Sequence, residues 1–223
     1  GSVQTASLSV IPVGPDSGQV VVELADWLLD SAGNLRLLPP GTVPRSAGRW
    51  LQVAPNALQL SGGATASVRL TLTVPPQGAS GAYWSMVLLR GAPVVDASRP
   101  GVSIQVQVGV PVYVVVRGTE RRSLQLASFQ VEFPESPGPG RAVVVMRNNG
   151  NVHVRVGGQV ELRDEQGEVV RRLELPQGVV LPGSSRRLQV ELPPDLAPGL
   201  YVALVTVATQ EQELFVAEQT FER

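Results

Sequence analysis

Residues 102–116 read VSIQVQVGVPVYVVV, and the division of the whole chain follows from this run. Alternate residues are apolar, while serine, glutamine, glycine and proline fill most of the positions between them. This alternation predicts one β-strand with a single apolar face, about 50 Å long. Because that is longer than one small sandwich needs, the strand is expected either to kink near Gly109–Pro111 or to run on into a connection. Its apolar residues are Val102, Ile104, Val106, Val108, Val110, Val112, Val114 and Val116.

The sequence on both sides of this strand predicts an all-β protein made of two immunoglobulin-like sandwiches joined at a short elbow. Five or six alternating runs precede it, together with a Gly-, Pro- and Ser-rich excursion at residues 31–48 that is read as a loop. Seven runs follow it, separated by turn-forming pairs at the spacing of a sandwich. The phrase VPP followed by GAY at residues 74–83 returns as LPP followed by GLY at residues 192–201, which indicates two copies of one fold.

The predicted boundaries are residues 1–117 for the first domain, 118–122 for the linker and 123–223 for the second domain. A short linker favours a fixed elbow over a free tether. The first domain falls short of the seven strands of an immunoglobulin-like sandwich, and a first strand upstream of Gly1 is the expected explanation.

Composition excludes several classes of function. The 18 basic and 19 acidic residues are scattered and give a net charge of −1, which is no footprint for nucleic acid or for an anionic membrane. The chain has no cysteine and no lysine, so thiolate, disulfide and Schiff-base chemistry are absent. No apolar run approaches the ~20 residues of a membrane span, so membrane insertion of this sequence is not expected.

The residues that could carry catalysis are few and favour structural roles. His153 is the only histidine, and no Gly-x-Ser-x-Gly motif accompanies it, so a hydrogen-bonding role is expected for its imidazole. Asp26 and Asp30 are read as solvated carboxylates rather than as a catalytic pair. Packing is expected for the aromatic residues Trp27, Trp50 and Trp84 rather than a sugar site. We therefore predict a protein that is not an enzyme and has no cofactor and no metal site.

Three segments carry a resemblance to a known family. Residues 104–118, IQVQVGVPVYVVVRG, resemble the last strand of the amino-terminal domain in the PapD-like periplasmic pilus chaperones. Residues 50–84 resemble the envelope proteins grouped with those chaperones, and residues 149–167 resemble the second domain of the same set. The resemblance implies an exported protein of the periplasm or cell envelope with two immunoglobulin-like domains.

Two positions depart from the family pattern. Tyr113 stands where the chaperones carry a basic residue that anchors the carboxy terminus of a bound pilin, and Gly118 follows Arg117 where they carry proline. The chain is also similar to the WxL-interacting proteins, a resemblance that implies binding of peptidoglycan and of protein.

Two hypotheses for function follow. The first is a chaperone-like factor that holds a secreted, pilus or envelope subunit by β-strand addition to the long strand. The second is a structural or adhesive envelope module that binds peptidoglycan or a surface protein through the excursion at residues 31–48. The alternative to strand addition is that residues 102–116 form an ordinary core strand of their own sandwich. The predicted partner-binding residues are Val102, Ile104, Val106, Val108, Val110, Tyr113 and Arg117.

Overall fold

A computed structural model describes residues 1–12, 18–76, 79–95, 101, 103–134 and 138–223. Within these residues the chain forms β-strands and one turn of 3-10 helix at Ala47–Arg49. The strands are β1 (Ser2–Val10), β2 (Gly18–Leu29), β3 (Leu35–Leu38), β4 (Leu51–Ala54), β5 (Ala57–Leu60), β6 (Ala66–Val74), β7 (Gly81–Gly91), β8 (Val94–Val95), β9 (Ser103–Ile104), β10 (Gln107–Val116), β11 (Leu124–Glu132), β12 (Arg141–Asn148), β13 (Val154–Arg163), β14 (Val169–Val180), β15 (Ser185–Glu191), β16 (Leu200–Thr209) and β17 (Leu214–Glu222). The predicted all-β fold of two immunoglobulin-like sandwiches is confirmed.

The chain divides into two compact units. The first unit contains Gly1–Leu28 and Arg36–Gly118, and the second contains Leu29–Leu35 and Thr119–Arg223. The exact domain and linker boundaries given above remain predictions. Among the residues that the structure describes, no helix has the length and apolarity needed to cross a membrane.

The first unit consists of two facing sheets. One has the order β1-β6-β4, and the other has the order β10-β7-β2-β3 with β5 paired to β2. Strands β4 and β5 follow each other closely but pair with different sheets, because β4 lies beside β6 and β5 beside β2. Alternating apolar residues of both sheets meet in a core around Val22, Leu58, Val68 and Val87.

The second unit has the same two-layer architecture. Its sheets have the orders β11-β12-β15 and β14-β13-β16-β17. The inward-facing residues of β13 and β16 are fully buried, as the alternating burial along Leu200–Thr209 shows. This alternation leaves every second side chain on the outer face and gives the unit one continuous core.

The prediction of one continuous strand over residues 102–116 is wrong. The strand breaks at Gln105 and Val106, between β9 and β10, and runs without interruption through Gly109 and Pro111, where a kink was expected. The side-chain Nε2 of Gln105 donates to the backbone oxygen of Gly91 at 3.0 Å. This contact occupies a carbonyl at the end of β7, so regular pairing begins only after it.

The excursion at residues 31–48 is also more ordered than predicted, because it contains β3, which pairs with β2. Its later part joins the first unit through the backbone. The Trp84 N–H donates to the Arg45 oxygen at 3.0 Å, and Ser46 forms a parallel bridge with Trp84. The segment therefore continues the sheet where β2 has diverged from β7, which the loop-like composition of the sequence conceals.

Candidate functional site

Strand β10 lies at an edge of its sheet. It pairs antiparallel with β7, with Gln107 opposite Arg90 and Val116 opposite Gly81. On its other side, no strand of the described part of the chain pairs with it. One row of its backbone N–H and C=O groups therefore points away from the sheet, as it does in any edge strand.

The register identifies which residues form this outer row. The Gly91 N–H donates to the Val106 oxygen at 3.0 Å, so these two residues form a hydrogen-bonded pair at the end of β10 and β7. Hydrogen-bonded and non-hydrogen-bonded pairs alternate along an antiparallel ladder. The even-numbered residues that follow therefore direct their backbone groups toward β7. The outer row consists of Gln107, Gly109, Pro111, Tyr113 and Val115.

The apolar face of this strand divides into a buried half and an exposed half. Val114 is buried, and Val110 and Val112 are half-buried against the core of the first unit. Toward the amino-terminal end, Ile104 is 54% exposed, Val106 63% and Val108 50%. The core-strand reading is therefore right for the carboxy-terminal half, while the amino-terminal half extends its apolar side chains beyond the core.

The opposite face of β10 packs against an aromatic cluster. The ring of Tyr113 meets that of Trp27 edge-on, with 5.8 Å between their centroids, and Trp27 lies 6.4 Å from Trp84. The indole Nε1 of Trp27 donates to the Ser85 oxygen at 3.0 Å, and that of Trp84 donates to the Trp27 oxygen at 2.8 Å. Both indoles are buried with their donors satisfied, so packing, as predicted, is their role.

Asp26 holds the excursion to the first unit. Its carboxylate is fully buried and accepts from the Val43 N–H at 2.9 Å and from the Ser46 hydroxyl at 2.6 Å. The Ser46 oxygen in turn accepts from the N–H groups of Gly41 and Gly48 at 3.2 and 3.1 Å. The expectation of a solvated Asp26 is wrong, because the loop needs a buried acceptor for these donors.

Asp30 and His153 are the two other candidate catalytic groups, and each has its own separate environment. Asp30 accepts two hydrogen bonds from Asn34, at 2.8 Å from the backbone and 2.7 Å from the side chain, and these bonds lower the pKa of its carboxyl. His153 is partly buried, and burial followed by the nearby Arg155 lowers the pKa of its imidazole. Local hydrogen bonds at Asp30, and burial and a neighbouring charge at His153, thus account for the lowered pKa of each group.

The predicted partner-binding residues thus fall into four environments. Ile104, Val106 and Val108 share the exposed apolar face, and Val110 belongs to the margin of the core. Tyr113 packs on Trp27, and Arg117 is exposed in the turn after β10. Val102 lies outside the described residues.

The sequence reading missed the backbone groups of Gln107 and Gly109 as components of the edge. One signal could have found them. A proline inside a strand is tolerated where its missing N–H faces outward, so Pro111 alone indicates that the odd-numbered residues form the outer row. The role of the Gln105 side chain has no comparable signal, because it depends on the distant Gly91.

No protein-family model matches the sequence, and no curated protein sequence matches it. Solved structures do match its fold. The chain is 13% identical to one in the CsuC–CsuE chaperone–tip adhesion subunit pre-assembly complex from the archaic chaperone-usher Csu pili of Acinetobacter baumannii, covering 96% of this chain and 90% of that chain with a TM-score of 0.51.

Two further solved structures match over nearly the full length. The Pseudomonas aeruginosa CupB2 chaperone is 14% identical, covering 97% of this chain and 92% of that chain with a TM-score of 0.44. A chain of the Salmonella enterica SafA pilin–SafB chaperone complex is 12% identical, covering 100% of this chain and 96% of that chain with a TM-score of 0.46. The resemblance to the PapD-like periplasmic pilus chaperones is thereby confirmed at the level of the fold.

Proposed function

We propose that this chain, which shares the fold of the two-domain pilus chaperones, is a non-enzymatic factor that holds a secreted or envelope protein subunit. Binding occurs by addition of an extended segment of the subunit to the outer edge of β10. The observation that carries the proposal is the pair of exposed apolar side chains, Val106 and Val108, at the amino-terminal end of the edge strand. The exposed Ile104 precedes them in β9, which pairs with β8.

The energetics favour a partner at this surface. Covering the exposed half of a valine side chain contributes about 1 kcal/mol, and Val106 and Val108 lie on the same strand two residues apart. An added strand also gains backbone hydrogen bonds from the outer row, and its own apolar residues form cross-strand pairs with the exposed ones. The exposed apolar side chains and the outward backbone groups of Gln107 and Gly109 therefore support the same mode of binding.

The fold likeness supports a proposal for location and partner. A protein built like the pilus chaperones is proposed to act in the periplasm or cell envelope after export. The alternative, an adhesive module using the excursion at residues 31–48, has less support, because Asp26 binds Val43 and Ser46 of that segment within the first unit. The same geometry gives no specific support to peptidoglycan as a ligand.

A charge placed on the exposed apolar face tests the proposal. We expect Val106→Glu to abolish binding of a short synthetic peptide in which valine alternates with threonine, because the joint would desolvate an unpaired carboxylate. Val216→Glu is the matched control, since Val216 is a similarly exposed valine, 60% against 63%, on β17 of the second unit. Isothermal titration calorimetry measures the affinity, and thermal melting verifies that both variants fold.

Strand addition at β10 is contradicted in two ways. In the first, the folded Val106→Glu variant binds the peptide as the native chain does. In the second, both variants lose binding equally, which assigns the effect to net charge rather than to the site.

A further inference from the structure

The outer backbone row of β10 lacks an N–H donor at Pro111. Gln107 and Gly109 each present an N–H and a C=O to the outside, whereas Pro111, the next residue of the row, has no N–H. A strand laid along this edge can therefore form two complete pairs and then meets a position that accepts but cannot donate. The β10–β7 ladder is unaffected, because it uses the even-numbered residues.

The solvent exposure of the apolar side chains changes at the same place. Val108 is half exposed, whereas Val110 and Val112 pack against the core of the first unit. A bound segment that extended past Pro111 would thus find neither open apolar side chains nor a full set of donors. Two independent properties of β10 thus change between Gly109 and Pro111: the run of complete outward N–H and C=O pairs is interrupted, and the exposure of the apolar side chains ends.

We infer that Pro111 terminates the ladder that an added strand forms with β10, so that the bound segment is short and pairs with residues Val106–Val110, centred on the outward groups of Gln107 and Gly109. This inference rests on the proposed function. At ~3.3 Å per residue the paired stretch spans about 17 Å. Pro111 is then a residue that selects partners by the length and register of the segment they offer.

The chemistry of the segment follows from the same residues. Residues 103–116 contain no charged side chain. A charged residue of the partner that faced Val106 or Val108 would lose water without gaining an opposite charge, which is unfavourable. The segment that fits is therefore an uncharged extended stretch of about five residues, apolar at alternate positions.

Two synthetic peptides of alternating valine and threonine test the inference. The short peptide matches Val106–Val110, and the long one extends by about four residues so that it reaches beyond Pro111. We expect the native chain to bind both with the same affinity within about twofold. In Pro111→Ala the restored N–H should strengthen binding of the long peptide by about fivefold, the effect of one hydrogen bond of ~1 kcal/mol, and leave the short one unchanged.

Prolines placed elsewhere in the outer row serve as matched variants. Gln107→Pro removes an outward N–H inside the proposed ladder and should weaken the short peptide by at least about fivefold. Val115→Pro removes an outward N–H beyond Pro111 and should leave the affinity unchanged. Neither change removes a bond to β7. Thermal melting verifies the fold of each variant, and amide hydrogen exchange should show peptide-dependent protection at Gln107 and Gly109 but not at Val115.

Each outcome decides a separate point. Tighter binding of the long peptide by the native chain, or equal weakening by Gln107→Pro and Val115→Pro, overturns the termination at Pro111 and leaves strand addition intact. Absence of binding by both peptides overturns the proposed function, and the inference falls with it.

Discussion

Asp26 is a buried carboxylate whose two hydrogen bonds hold the excursion to the sheet. We expect Asp26→Ala to lower the free energy of unfolding of the first unit by about 2–4 kcal/mol, because the Val43 N–H and the Ser46 hydroxyl lose their acceptor in a buried place. Urea denaturation followed by tryptophan fluorescence measures the change. Glu23→Ala is the control, since Glu23 is a carboxylate of the same strand that forms only a surface ion pair with Arg90, and an equal loss in both variants would contradict the anchoring role.

His153 gives a prediction of pH dependence. Burial and Arg155 lower the pKa of its imidazole below the ordinary 6.5, so the unfolded chain binds the proton more readily than the folded one. Stability from this group is therefore complete above about pH 6.5 and falls as the pH drops toward the lowered pKa. Urea titrations between about pH 5 and 7 should show this decline in the native chain and a smaller one in His153→Gln.

The same variant tests the absence of catalysis by this residue. His153→Gln should bind the valine–threonine peptide as the native chain does, because His153 belongs to the second unit and β10 to the first. A hydrolytic activity that disappears in the folded variant would contradict the non-enzymatic reading.

At the scale of the element, one face of β10 has side chains of two kinds, some buried in the core and some exposed. We expect Val114→Glu to destabilise the first unit by about 3 kcal/mol or more, because Val114 is buried, whereas Val106→Glu should change the melting temperature little. The two substitutions are chemically identical and lie on the same strand face. Thermal denaturation that shows equal losses for both would mean that the exposed half of the face also belongs to the core.

The alternation of residues 102–116 was enough to predict strand structure with an apolar face in this run. It could not predict where exposure begins, because Val106 and Val110 are the same residue type at equivalent positions, and only the packing of the opposite sheet distinguishes them. The break at Gln105 was likewise hidden, since it depends on a side-chain bond to Gly91, distant in sequence. Asp26 was misread for the same reason, because its partners Val43 and Ser46 belong to a segment whose composition resembles a loop.

At the scale of the whole molecule, the two units have cores of different completeness. The buried cluster of the second unit is larger than the cluster around Val22, Leu58, Val68 and Val87 in the first unit, and both are surrounded by partly buried apolar residues. All three tryptophans belong to residues 1–117, so tryptophan fluorescence reports the first unit alone.

This distribution predicts two separable unfolding transitions. We expect tryptophan fluorescence to lose its native signal at a lower urea concentration than far-UV circular dichroism, which follows the strands of both units. Coincident transitions with the two probes would contradict independent unfolding.

Pro111 also bears on the solubility of the protein at high concentration. If two copies paired antiparallel through their β10 edges about a twofold axis, any pairing long enough to include Pro111 would include it twice. Each proline would leave one carbonyl of the opposite copy without a donor, so symmetry doubles the penalty for self-association. A foreign strand that ends before Pro111 incurs neither loss. Pro111 thus disfavours pairing between the β10 edges of two copies, which the exposed valines of that edge would otherwise promote.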